Sequence, residues 1–142
     1  MYNKKLIRQY DDTMYEALKA LYLHRKWYGG VFDEARDGRE RLVQKIADDP
    51  QAILIYERDG ELLGTISIIE DGRVAWLYRF VVKDFDPEIT KELYDAAAKI
   101  LKERGHSEVL VYTPFGDKNL DARYDSLGMT KGGDYTCFYK EL

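Results

Sequence analysis

The chain has 142 residues, enough for one domain with one substantial core and too few for two. Hydrophobic residues at 45% and charged residues at 34% exclude a disordered chain, and no apolar run approaches the ~20 residues that span a bilayer. A net charge of -4 argues against nucleic acid as a partner, and the single cysteine, Cys137, excludes an intrachain disulfide framework and a multi-cysteine zinc site.

Met1-Tyr2-Asn3-Lys4-Lys5 leads into a strand pattern and not into a signal-peptide apolar segment, so the expectation is a cytoplasmic protein forming one domain over residues 1–142. Leu6-Ile7-Arg8-Gln9-Tyr10 reads as a first strand. Asp11-Asp12-Thr13 then opens a helix in which Thr13 and Glu16 have capping-box spacing, while Met14, Ala17, Leu18 and Leu21 form an apolar stripe. This helix is expected to end near His24–Tyr28, before Gly29-Gly30. A second helical segment covers residues 33–48, with Leu42, Val43, Ile46 and Ala47 on its apolar side and Pro50 behind it.

Three strand patterns follow: Ala52–Arg58, Leu62–Asp71 and Arg73–Lys83. Asp59-Gly60 and Asp71-Gly72 join them as hairpin turns, because both residue types tolerate positive φ. The continuous apolar run Ala52–Tyr56 predicts a strand covered on both faces. Gly64, inside the second strand, marks a bulge or a close backbone approach. Next comes the best-defined helix, with Asp86 as N-cap, Pro87 at the first position, Glu88 in the first turn and Gly105 at the end. Ile89, Leu93, Ala96, Ala97, Ile100 and Leu101 form its buried side. Val109–Tyr112 is a short strand, and a strand–helix–strand unit of this kind implies a parallel pair. Asn119–Leu127 reads as a short helix closed by Gly128, and Tyr135–Lys140 as a final strand. Cys137 is expected to be a small buried hydrophobe there. His24 and His106 read as isolated surface residues that make no metal motif. The 12 tyrosines, with Trp27 and Trp76, are expected mainly to build the core and half-buried sheet faces.

In order and spacing these elements resemble the GCN5-related N-acetyltransferase (GNAT) superfamily over essentially the whole chain. Asp59-Gly60-Glu61-Leu62-Leu63-Gly64-Thr65-Ile66 is similar to that family's second hairpin, and Leu77-Tyr78-Arg79-Phe80-Val81-Val82 to its fourth strand. Lys102-Glu103-Arg104-Gly105 is similar to the end of its third helix. Ala122–Met129 resembles its late helix, which commonly ends in Tyr-x-x-Leu-Gly-Phe. The resemblance implies an α/β (α+β) fold: a mixed, mostly antiparallel twisted sheet of six to seven strands, a central splayed parallel pair, and helices on both faces.

The function so implied is an acyl-CoA-dependent N-acetyltransferase that moves an acetyl group from acetyl-CoA to a primary amine of a small molecule or peptide. No nucleic acid or membrane takes part, and a homodimer is compatible with the family. Acyl-CoA would lie between Val74–Val82 and Val109–Tyr112. Phe80, Val81 and Val82 would hold the pantetheine arm and polarise the carbonyl, Ile89, Thr90 and Lys91 would offer backbone N–H groups to the pyrophosphate, and Asn119 completes the cofactor set. Tyr124 matches the family's tyrosine general acid, and Glu70 is the nearest acidic candidate for a base, ahead of Glu57 and Asp84. Each has a structural reading too: Tyr124 as an aromatic packed at a helix end, Glu70 as a solvated strand-end charge. The segment His24–Phe32 corresponds to the region that shapes the acceptor pocket.

One stretch departs from the family pattern. The family supplies an Arg/Gln-x-x-Gly-x-Gly/Ala loop where the backbone approaches the pyrophosphate. Residues 83–90 here contain no glycine and three acids, Asp84, Asp86 and Glu88. Asp86-Pro87-Glu88 reads as a self-capped helix start whose donors are already satisfied. Two readings therefore stand: a transferase, with Lys83 and Lys91 as compensating charges and acids that favour a cationic acceptor, or a catalytically degenerate GNAT-like module for binding or dimerisation.

Overall fold

The structure, a computed structural model, describes residues 4–24 and 31–142. The chain divides into two compact units, Met1–Tyr112 and Thr113–Leu142. In the first, strands β1 (Lys5–Gln9), β2 (Ile53–Arg58), β3 (Glu61–Glu70) and β4 (Ala75–Val82) form one antiparallel sheet in the order β1-β2-β3-β4. The expected Asp59-Gly60 turn is present, with φ of 53° and 81° at its two residues. Ala52–Tyr56 is buried throughout, at 4% exposure or less, as a strand covered on both faces requires.

The two faces are covered by different helices. Helix α1 (Tyr15–Tyr22) brings Leu18, Leu21 and Tyr22 into a cluster with Ile53, Ile55 and Val81. On the alternate residues of the sheet lies Gly64, where an added Cβ would fall 2.9 Å from Leu93 and 3.0 Å from Ile89 of α4 (Pro87–Glu103). Gly64 is thus a point of close approach between sheet and helix. Ile89, Leu93, Ala97 and Leu101 are buried along α4, while Ala96 and Ile100 are only half-buried. After α4, Gly105 takes φ 89° and the His106 N–H donates back to the Leu101 carbonyl at 3.0 Å, the left-handed close its sequence position predicts.

Several expectations change. The first helix is entered through a 3-10 turn, Asp12–Met14, and its cap is Asp11, not Thr13: the Thr13 N–H donates to the Asp11 carboxylate at 2.9 Å. Thr13 also gives its hydroxyl proton to that carboxylate, which leaves it a donor and not the cap. The single helix expected over residues 33–48 is two, α2 (Glu34–Asp37) and α3 (Arg39–Asp48). Gly38 breaks it with extended backbone, and a Cβ there would lie 2.5 Å from the Glu34 carbonyl oxygen. The break changes the phase of the apolar stripe, so Leu42 is buried, Ile46 half-buried, and Val43 and Ala47 exposed.

Val109–Tyr112 forms a single parallel bridge and not a strand. Leu77 N–H donates to the Leu110 carbonyl and Leu110 N–H to the Ala75 carbonyl, both at 2.9 Å. The second unit contains α5 (Lys118–Ser126), capped by Asp117, and no strand. Among the described residues the sheet therefore has four strands and one parallel bridge, fewer than the six to seven expected. Tyr135–Lys140 alternates like a strand, but alternation alone makes none; a strand exists only where its backbone groups find a partner. Tyr135, Phe138 and Tyr139 are 79–91% exposed, and Cys137 is exposed instead of buried. His106, expected at the surface, has a side chain only 5% exposed. Among the described residues, no helix is long and apolar enough to cross a membrane.

Candidate functional site

β4 is the edge strand of the sheet, and two features set its shape. Leu110 meets it at Trp76, but Val111 and Tyr112 make no further bridge, so the parallel pair parts after Leu77. Between the pairs Ser67↔Tyr78 and Thr65↔Val81, two residues of β4, Arg79 and Phe80, face the single residue Ile66. This is a β-bulge, and Arg79 carries it with φ 47°, a conformation that costs a non-glycine residue on the order of 1–2 kcal/mol. The strand bends where the parallel pair opens.

A buried charge pair holds the bend. The Arg79 guanidinium donates from Nε to Asp37 Oδ1 at 2.7 Å and from Nη2 to Asp37 Oδ2 at 2.5 Å, with the side chains 3% and 1% exposed. Nη2 also donates to the Val31 carbonyl at 3.1 Å, and the guanidinium lies 4.9 Å from the Tyr78 ring centre. Asp37 accepts in addition from the Asp33 N–H at 2.9 Å. The bidentate fork matches both carboxylate oxygens, and this is how two buried charges become tolerable. Beside the pair opens a groove of about 470 Å³, lined by α2, α3 and the adjoining face of β2, β3 and β4. Tyr22, at its wall, is held protonated well above the usual phenol range, mainly by burial.

The start of α4 is closed by its own residues. Asp86 Oδ1 accepts from the Glu88 N–H at 2.9 Å and the Ile89 N–H at 3.1 Å, and the Asp86 carbonyl accepts from the Thr90 N–H at 3.0 Å. Pro87 has no N–H. The Lys91 ammonium pairs with Asp95 at 2.6 Å and Lys83 with Glu61 at 3.4 Å. Ahead of the helix, Asp84 and Phe85 both take positive φ, 56° and 51°, the conformation for which glycine is the usual residue. The edge of β4 fits the extended amide arm of a coenzyme A thioester. The α4 start does not fit a pyrophosphate in this arrangement, because the Asp86 carboxylate already occupies the donors.

Within the first unit the sequence-derived site residues separate into two places. Phe80, Val81 and Val82 are buried at the end of β4, and Ile89 and Thr90 are buried in the first turns of α4 with Lys91 exposed beside them. Glu70 lies at the other end of the sheet, paired with Ala75, seven residues or ~23 Å along β4 from Val82. There its carboxylate meets His106 Nε2 at 2.6 Å and the Gly72 N–H at 3.0 Å, and receives the Arg104 guanidinium at 3.2 Å. These contacts, the His106 one first, hold it below the usual carboxylate range. Glu70 fastens the end of α4 to the sheet and is not brought near the β4 bulge. Tyr124 and Asn119 lie on α5 of the second unit; Tyr124 is half-buried, and burial raises its phenol pKa. Of His24–Phe32, residues 25–30 lie outside the described residues.

Sequence reasoning passed over Arg79 and Asp37. Their signal was present: an arginine in the middle of the apolar run Leu77–Val82, and an aspartate just before a glycine that breaks a helical pattern.

No family model and no curated protein matches the chain. Solved structures do. The aminoglycoside N-acetyltransferase AAC(6')-Iy, in complex with a bisubstrate analogue of coenzyme A, superposes with a TM-score of 0.75 at 18% identity, covering 98% of this chain and 99% of that one. The PaiA N-acetyltransferase from Thermoplasma acidophilum, in complex with coenzyme A, gives 0.72 at 22% identity over 86% and 87%. A GNAT-family acetyltransferase from Bacillus anthracis gives 0.70 at 18% identity over 94% and 86%. The fold of this chain is the mixed α/β fold of the GNAT acetyltransferases.

Proposed function

We propose that the protein is an acyl-CoA-dependent N-acetyltransferase that acetylates a primary amine. The observation that carries this reading is the bulged, edge-lying end of β4, beside a parallel pair that parts after Leu77. It is supported by the likeness to acetyltransferases whose structures contain coenzyme A. In the reaction the neutral amine attacks the thioester carbonyl, a C–N bond forms, the C–S bond breaks, the nitrogen gives up one proton to water, and the departing thiolate takes up a proton. Tyr124 is the residue assigned to that proton, since a phenol of raised pKa stays protonated at neutral pH. The backbone of Phe80–Val82 is assigned to the carbonyl oxygen.

A second reading is favoured by one specific observation, the capture of the α4 donors by Asp86. Under it the chain is a GNAT-like binding or dimerisation module without catalytic activity. Calorimetry with acetyl-CoA, with the melting temperature followed in parallel, separates the two. Binding should stabilise the fold by about 2.7 kcal/mol at a hundredfold excess over Kd. One-to-one binding supports the transferase; no binding and no thermal shift at millimolar acetyl-CoA would leave the module.

A further inference from the structure

The groove beside Arg79 carries a charge pattern opposite to that of the whole chain. Its inner end is formed by Tyr78 and Arg79 at the β4 bulge, and its floor by buried Ile53 and exposed Ile69, which lie on the same face of the sheet. Arg41 and Lys45, four residues apart on α3 and so on one side of the helix, both line it, as does Arg36 of α2. Asp48 is the opposing acid on the rim; Asp37, the other carboxylate lining the groove, is neutralised by Arg79. Among the described residues neither Arg41 nor Lys45 is engaged in a salt bridge, whereas Arg36 faces Asp33 at 3.4 Å. Two cations outside any salt bridge among the described residues therefore stand against one acid, in a protein of net charge -4. The acids at the α4 start, which on sequence grounds favour a cationic acceptor, do not line this groove: Asp86 caps its helix and Glu88 pairs with Lys5.

We infer that the acceptor taken by this groove is an amine with an apolar body and an anionic group, a carboxylate, at its far end. The inference rests on the transferase reading above. The amine points to the β4 bulge, the apolar body covers Ile53 and Ile69, and the carboxylate lies against Arg41 and Lys45. Acetylation converts the amine to an amide and leaves the carboxylate unchanged, so it serves only for recognition. Exposed arginine and lysine suit this use because they remain charged at neutral pH and lie at a rim that water still reaches.

The test compares three acceptors that share a six-carbon chain: aminohexanoate, hexylamine and diaminohexane. Thiol release from acetyl-CoA is followed with the wild type and with Arg41→Gln/Lys45→Gln, whose exposed positions leave the fold intact. The wild type should prefer aminohexanoate by about fivefold to tenfold in kcat/KM, through KM, and the variant should bring the ratio to hexylamine near one. Equal turnover of all three, or a preference for the diamine, overturns the inference and leaves the transferase reading standing. If no amine is acetylated and acetyl-CoA does not bind, the transferase reading falls, and whenever no amine is acetylated calorimetry with hexanoate decides the groove. Hexanoate binding that is lost in the variant upholds an anionic, apolar ligand; no binding overturns it.

Discussion

Replacing Asp86 by serine tests whether the α4 start meets a pyrophosphate. Serine caps a helix about as well as aspartate, and losing the charge at the first turn costs at most about 1 kcal/mol of stability. The carboxylate it removes lies on the Glu88 and Ile89 N–H groups, at 2.9 and 3.1 Å, where a phosphate oxygen would have to lie. Two unit charges ~4 Å apart repel by ~4 kcal/mol at an effective dielectric of ~20 and by ~1 kcal/mol in water. Asp86 is half-buried, so the gain on removing it is on the order of 1–2 kcal/mol, about tenfold in Kd. Calorimetry with acetyl-CoA at low and at high salt reads this directly. The tenfold gain should appear at low salt and shrink as salt screens the interaction. Binding confined to the variant would identify Asp86 as the obstacle that silences the wild type. Affinity unchanged or weakened at low salt would refute the reasoning, and the pyrophosphate would have to be sought away from this helix.

The remaining expectations concern the buried pair, the assigned acid and the far end of the sheet. Asp37→Asn removes one partner of the Arg79 pair and should lower stability by about 3–5 kcal/mol in urea unfolding, because it leaves a buried cation uncompensated; a loss under ~1 kcal/mol would mean that the guanidinium has other support. Tyr124→Phe should keep the melting temperature within a few degrees and reduce kcat by about a hundredfold or more, and unchanged turnover would remove Tyr124 from the mechanism. Glu70 and Asp49 both have lowered pKa values, Glu70 chiefly through His106 and Asp49 chiefly through Arg104. Their contribution is therefore complete above their ordinary values of 4.5 and 3.8 and lost as pH falls through the lower native ones. Arg104→Gln should accordingly destabilise most near neutral pH, with the difference from wild type closing below pH ~4; a pH-independent difference would contradict the ionic role.

Where a local signal was sufficient, the sequence specified the structure. Asp59-Gly60, the apolar run Ala52–Tyr56 and Asp86-Pro87-Glu88 each contain the reason for their conformation within a few residues, and each is found as read. Gly64 was legible as a close approach although its contacts, Ile89 and Leu93, lie on another element. Gly38 was hidden by the helical patterns on either side of it. Arg79 and Asp37 are 42 residues apart, and no local pattern announces a partner at that separation. Glu70 could be placed at a strand end but not on the correct side of the site, since that depends on where α4 returns with Arg104 and His106. Val109–Tyr112 has a strand's composition and the expected parallel direction, yet only Leu110 completes a bridge.

The bulge and the groove share one residue, which ties the two halves of the proposed reaction together. Arg79 bends β4 with its backbone and closes the inner end of the groove with its side chain, and through Asp37 it fixes the end of α2. Glycine would adopt φ 47° without strain, but a glycine here would leave Asp37 buried with no cation beside it. The strain of roughly 1–2 kcal/mol is thus kept for what the guanidinium holds in place. Moving α2 would disturb the strand that is assigned the thioester as well as the rim assigned the acceptor. Under the proposed reaction, donor and acceptor would be held by a single packed unit, which attack along one line across the β4 bulge requires.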